Sequence, residues 1–126
     1  MRHSPLLLAL SAMVATAQPA LAQPRVASIP AQFHGDWAPS ARACRDRGPS
    51  TQVVTISGRG WTSFEEGARV TRYTQIRRGV HWFRIVSYGG ADENPGTLAL
   101  RRDRNILALS ETVAGQTRNQ RLVRCG

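Results

Sequence analysis

Apolar and polar positions alternate most densely between Trp61 and Tyr88. Thr, Val, Ile, Tyr, Phe and Trp dominate this stretch, no proline interrupts it, and Gly67 and Gly79 punctuate it. The pattern predicts three strands joined by two tight turns. With Glu66-Gly67 as the first turn, Glu65 is expected to face Ala68, Ser63 to face Val70 and Trp61 to face Arg72. With Arg78-Gly79 as the second, Ile76 is expected to face His81, Thr74 to face Phe83 and Arg72 to face Ile85. Side chains alternate with period two, so this register sorts them onto two faces. The face taken as the core side carries Trp61, Val70, Ile76, Phe83 and Ile85, with Glu65, Arg72 and His81 among them. The opposite face carries Phe64, Tyr73, Val80, Trp82 and Val86, with Arg69, Arg77 and Arg84.

The remaining segments extend this sheet. Residues 33–37 predict a first strand around Gly35, and residues 39–45 one or two helical turns or a tight loop that positions Cys44. Residues 52–57 predict a strand, with Gly58-Arg59-Gly60 turning the chain into the central meander. Residues 89–96 read as an eight-residue loop. Residues 97–102 and 105–112 read as a hairpin around Asp103-Arg104, in which Leu98 is expected to face Leu109 and Leu100 to face Leu107. Residues 113–119 read as a polar loop and 120–125 as the last strand. The sum is an all-β chain: an antiparallel meander of seven to eight strands closing into a small barrel or half-open sandwich, with one short helical turn near the N-terminus.

The start of the chain falls outside this pattern. Arg2 precedes an apolar run over residues 6–15, and Ala20-Leu21-Ala22 places small residues where a signal peptidase reads. This predicts a secretory signal peptide over 1–22, with cleavage before Gln23 or, as a second site, before Gln18. Ten residues of helix reach only about 15 Å, too short to span a bilayer. A flexible lead over 23–32 and a single β domain over 33–126 follow. No later segment is long and apolar enough to be expected to span a membrane.

Composition adds a partner class. All seventeen basic residues are Arg, and removing Arg2 leaves sixteen against eight acids, a net charge of +8. Such a charge favours anionic partners, and the planar guanidinium suits carboxylates, phosphates and aromatic rings. The absence of Lys beside abundant Arg and Ala equally fits a GC-rich coding sequence, which leaves the net charge unexplained. Two cysteines, Cys44 and Cys125, in an exported chain predict a disulfide. A catalytic thiol would need a basic neighbour, and a metal site would need His34 or His81 to join.

The triplet Gly35-Asp36-Trp37, followed by a meander and a late cysteine, resembles the G-x-W opening of calycin-like barrels. These include lipocalins, avidins and the small bacterial metalloprotease inhibitors. The resemblance implies an exported barrel with one disulfide that binds or inhibits. The cysteines depart from it, because those inhibitors close a short loop whereas Cys44 and Cys125 span most of the domain. The layout as a whole is similar to small exported proteobacterial all-β proteins with no assigned function, a likeness that implies location and fold and lends no activity.

Two constellations are candidate sites. Trp61, Glu65, Arg72 and His81 on the core face would make a ligand site inside a barrel mouth; the alternative is a self-satisfied Glu65–Arg72 pair with His81 at the rim. Tyr73, Trp82 and Arg84 on the outer face, with Arg69 and Arg77, suit stacking and anion contact; the alternative is Arg stems covering neighbouring rings. His34 and Asp36 share one side of a strand but fall short of the three or four ligands zinc wants, so no metal and no cofactor are expected. Asp92-Glu93-Asn94 and the tip at Arg101–Arg104 read as solvated turns. Glu65 and Glu66 are adjacent and point to opposite faces, and no nucleophile–base motif appears. The expected function is an exported, periplasmic, non-catalytic binding module for an anionic envelope component or a protein partner, inhibition included, with nucleic acid disfavoured by export. The alternatives are a small-ligand carrier using the interior and, third, a hydrolase.

Overall fold

The computed structural model describes residues 14–15, 27–46, 48 and 51–126. The expected signal peptide and its cleavage sites lie outside the described residues, apart from 14–15. The chain forms a closed barrel of eight antiparallel strands that neighbour one another in sequence order. They are β1 Gly35–Ala38, β2 Val54–Ser57, β3 Gly60–Ser63, β4 Glu66–Arg77, β5 Val80–Gly89, β6 Asp92–Asp103, β7 Ile106–Val113 and β8 Gln116–Arg124. A 3-10 turn, Ala31–Phe33, precedes β1, and a short helix α1, Ala41–Arg45, follows it. Ser40 caps α1 by accepting a hydrogen bond from the Ala43 amide at 3.1 Å. The helix carries Cys44, which is disulfide-bonded to Cys125. No described helix is long and apolar enough to cross a membrane.

The expected core face is the buried one for Trp61, Val70, Phe83 and Ile85. It is completed by Trp37, Ile56, Leu98, Leu100, Leu107, Leu109 and Leu122. Ile76 departs from it: at the tip of the β4–β5 hairpin it is 60% exposed. The β3–β4 turn sits at Phe64-Glu65 rather than Glu66-Gly67, so Trp61 pairs with Ala68 and Ser63 with Glu66. The β6–β7 turn is likewise shifted, giving Leu100 opposite Leu109 and Leu98 opposite Glu111. Both shifts change the register by an even number of positions, so the side chains that remain in the strands keep their faces.

Between β4 and β5 the change is deeper. Two irregularities, one between Val70 and Arg72 and one between Tyr73 and Gln75, break the register. Each inserts a residue and flips the alternation, and together they restore it. Only the residues between them are inverted: Arg72 comes to lie opposite the outer Arg84, and Tyr73 opposite the buried Phe83. A regular strand would put a guanidinium into the apolar interior, at a cost of several kcal/mol. The bulges exchange it for a phenol ring.

Two expected loops are strands. The β5–β6 connection is only Gly90-Ala91, and β6 begins at Asp92. Pro95 is tolerated because β7 begins pairing with β6 only at Gly96, so residues 92–95 form an open edge on that side. The β7–β8 connection is Ala114-Gly115, and the polar residues Gln116–Asn119 belong to β8. Phe33, expected in the first strand, lies in the 3-10 turn, and the strand starts at Gly35. A Cβ on Gly60 would lie 1.8 Å from the Ala68 carbonyl oxygen, so β3 and β4 can cross this closely only at glycine.

One barrel end is plugged. The Ile29 amide donates to the Gly58 carbonyl at 2.9 Å, and the Ile29 and Phe33 side chains enter the core. The Trp37 indole donates to the Phe33 carbonyl at 2.9 Å. Arg102 and Arg124 lie over the Trp37 ring at 5.6 and 5.5 Å from its centroid. Arg102 also donates to the Gln32 carbonyl. The 3-10 turn is thus held by an indole and a guanidinium from two different strands.

Candidate functional site

The other barrel end is open. Alternation along β3, β4, β7 and β8 turns Trp61, Glu66, Glu111 and Arg118 toward it. A cleft of about 620 Å³ lies there, lined among others by Trp61, Phe64, Glu66, Arg118 and Gln120. Arg118 Nη1 meets Glu66 Oε1 at 3.2 Å, both side chains being nearly half exposed. The same guanidinium sits 5.7 Å from the Trp61 ring centroid. The Trp61 indole donates to Glu111 Oε2 at 2.7 Å, and Ser87 Oγ donates to Oε1 at 3.5 Å. One chain of contacts therefore runs from the rim inward: Glu66, Arg118, Trp61, Glu111, Ser87.

Glu111 is 5% exposed and is the buried charged side chain of the described residues. Burial pushes its carboxyl above the ordinary range, and nearby Glu66 adds to this; the Trp61 and Ser87 hydrogen bonds and the Arg118 charge pull the other way. Burial wins, so the pocket favours a carboxyl that holds its proton longer than an exposed one.

Only one of the four core-face candidates reaches this cleft. Trp61 lines it. Glu65 stands in the β3–β4 turn at φ 59, exposed. Arg72 is outside the barrel, displaced by the bulges. His81 is inside but at the plugged end. Its ring is edge-on to Phe33 with centroids 4.9 Å apart, it contacts Tyr73 Oη through Nδ1, and it lies 3.2 Å from Gln32 Nε2 through Nε2. A neutral ring with the proton on Nδ1 satisfies both contacts, donating to the phenol and accepting from the amide. Burial lowers the His81 pKa, which favours that neutral form, and raises that of Tyr73.

The outer trio is also divided. Trp82 and Arg84 lie on the outer surface of β5, but Tyr73 packs inward, edge-on to Phe83 at 4.8 Å. His34 and Asp36 are each engaged by other groups: His34 Nε2 with the Ile29 carbonyl at 2.7 Å, and Asp36 Oδ1 with the Thr55 hydroxyl at 2.7 Å. Among the described residues no group of three or more His, Cys, Asp or Glu is placed to hold a metal ion.

Glu66, Glu111 and Arg118 were not among the expected site residues. For Glu111 a signal exists, because it continues the leucine stripe Leu107, Leu109 on the inward face of β7. For Arg118 none does, since its segment is polar throughout. Comparison of the chain with protein-family models, with curated proteins and with solved structures finds no match in any of the three.

Proposed function

We propose that this chain is an exported, periplasmic, non-catalytic binding module that takes a small polar ligand in the open mouth of its barrel. The carrying observation is the 620 Å³ cleft floored by Trp61 and walled by Arg118. Small-molecule sites fall at about 300–1,000 Å³ and combine apolar walls with a few placed polar groups. Phe64 and Pro39 supply apolar surface, and Gln52, Ser63 and Gln120 supply hydrogen-bonding groups. The Arg118–Glu66 pair is half solvated, so a ligand carboxylate or phosphate can replace Glu66 on the guanidinium at little cost. Glu111 is committed inward to Trp61 and Ser87, which suits holding the indole in place. The interior beyond Trp61 is filled by Phe83, Ile85 and the leucines, so the ligand belongs at the rim and not in a deep calyx.

The test is an amide chemical-shift screen of the mature chain against monosaccharides, amino acids and small organic acids. Shifts are expected to cluster at Trp61, Ser63 and Gln120. Arg118→Ala should weaken the best binder roughly 10- to 100-fold, the scale of one charge-assisted hydrogen bond, and Arg118→Lys less. Binders whose shifts map elsewhere, or that ignore Arg118→Ala, would overturn the reading.

A further inference from the structure

We propose that the outer surface of β5–β8 is a binding face for an acidic polysaccharide. Two cross-strand rows build it. One runs from Trp82 through Ala99 and Ser110 to Asn119; the next runs from Arg101 through Ala108 to Arg121. The alanines leave a trough of about 570 Å³ between the bulkier ends, with Val80 closing the Trp82 side. A hollow of about 170 Å³ continues it past Arg101 and Arg121 toward Ile106 and Asp103.

Three features select the occupant. The first is charge. Arg101 and Arg121 line the trough, and Arg84 and Arg72 stand opposite each other beside it. Asp103 is the acid lining the adjoining hollow, and no ion pair within 4 Å joins any of these arginines to it. Unneutralised guanidinium forks call for a partner bearing carboxylate or sulfate groups.

The second feature is Trp82. The residue is 37% exposed on the outer surface of β5, near the strand's start. A flat indole at one end of a row that ends in hydroxyl and amide side chains suits sugar rings, which offer C–H groups on their faces and hydroxyls on their rims. Ser110 Oγ bonds to Asn119 Oδ1 at 2.7 Å, which leaves the Asn119 amide hydrogens for the ligand.

The third is the closed barrel. The face is a sheet surface, its strands already paired on both sides, so an extended peptide finds no backbone edge to join there. From β5 to β8 is three strand spacings, about 14 Å. That length matches a chain of sugar rings laid across the strands, with one ring over Trp82 and acidic groups reaching Arg101 and Arg121.

The experiment titrates the mature chain with oligogalacturonate of defined length, read by Trp fluorescence and calorimetry. Neutral dextran, polyglutamate and single-stranded DNA are run in parallel. Oligogalacturonate is expected to bind and dextran not to. Trp82→Ala and Arg121→Ala should each weaken binding by about tenfold, as loss of a stacking or charge-assisted contact does. These positions border an open trough, so the variants' thermal midpoints serve as the folding control. Arg118→Lys should leave this affinity unchanged, which separates the face from the barrel mouth. The proposal fails if oligogalacturonate does not bind, or if binding survives both substitutions. It also fails if polyglutamate or DNA binds as tightly with the same dependence on Trp82 and Arg121, because the face would then recognise charge in general and not an acidic sugar.

Discussion

Glu111 shows how one side chain can be costly and still be kept in place. A carboxylate in an apolar interior must be paired or protonated, and here it is paired to an indole N–H at 2.7 Å with a guanidinium beyond the ring. Its pKa lies above the ordinary 4.5. A raised carboxyl contributes stability that is complete below the ordinary value and is lost as pH rises through the folded value. Glu111→Gln keeps an acceptor for Trp61 and removes the charge. The variant is therefore expected to match the wild type near pH 4 and to exceed it at pH 7, read from urea midpoints across that range. Equal pH profiles would show that the carboxyl is not perturbed. His81 acts with the opposite sign, its lowered pKa withdrawing stability as pH falls below about 6.5, but it is common to both proteins. Glu111 was legible in the sequence as an acid at the next alternate position after Leu107 and Leu109. Arg72 and Tyr73 were not, because the two bulges that exchange them answer to the barrel interior and leave no mark in local alternation.

At the scale of elements, hairpins do most of the work. The Arg78-Gly79 turn falls where composition placed it, and both residues have positive φ, 52° and 76°. This is the twist-matched geometry that favours Asn-Gly. Arg78 bears a Cβ penalty there of about 1 kcal/mol. Arg78→Asn is expected to recover about half to all of it, seen as a higher urea midpoint with unchanged slope. A fall in midpoint would mean that the Arg78 side chain contributes contacts outweighing its backbone strain. The two misplaced turns changed the pairing register by even steps and so kept the leucines inward. The two segments read as loops failed for one shared reason. Gly, Asp, Asn and Pro at 89–96, and polar residues at 113–119, are poor strand formers alone. Pairing with β5 and β7 overrides that preference, and a strand half bathed in solvent needs little apolar character.

The molecule as a whole is a continuous meander whose one long-range closure is thin. Consecutive strands pair over long ladders from β4 to β8, but β1 meets β8 through only Trp37 with Arg124 and Ala38 with Val123. The Cys125 amide extends the seam by donating to the Asp36 carbonyl at 2.8 Å. The Cys44–Cys125 bond, separated by 81 residues, stands beside that seam. On the chain-entropy account a loop of this length contributes about 4.5 kcal/mol, a large share of the stability of a domain this size. The sequence announced the pairing and the fold class, but not that the bond guards the weakest ladder. The seam also holds Trp37, which anchors the 3-10 plug, so opening it would loosen the closed end as well. Replacing both cysteines by serine is expected to lower unfolding free energy by about 4 kcal/mol. In native-state hydrogen exchange, the Cys125 amide, which donates across the seam to Asp36, should lose protection first, with amides shared by β5 and β6 still slow. Uniform loss across all strands would instead make the disulfide a global restraint with no particular tie to the seam. If the seam opens first, the exposed edges of β1 and β8 become free to pair with other chains. The double variant should then aggregate at concentrations where the oxidised protein stays monodisperse, as light scattering would record.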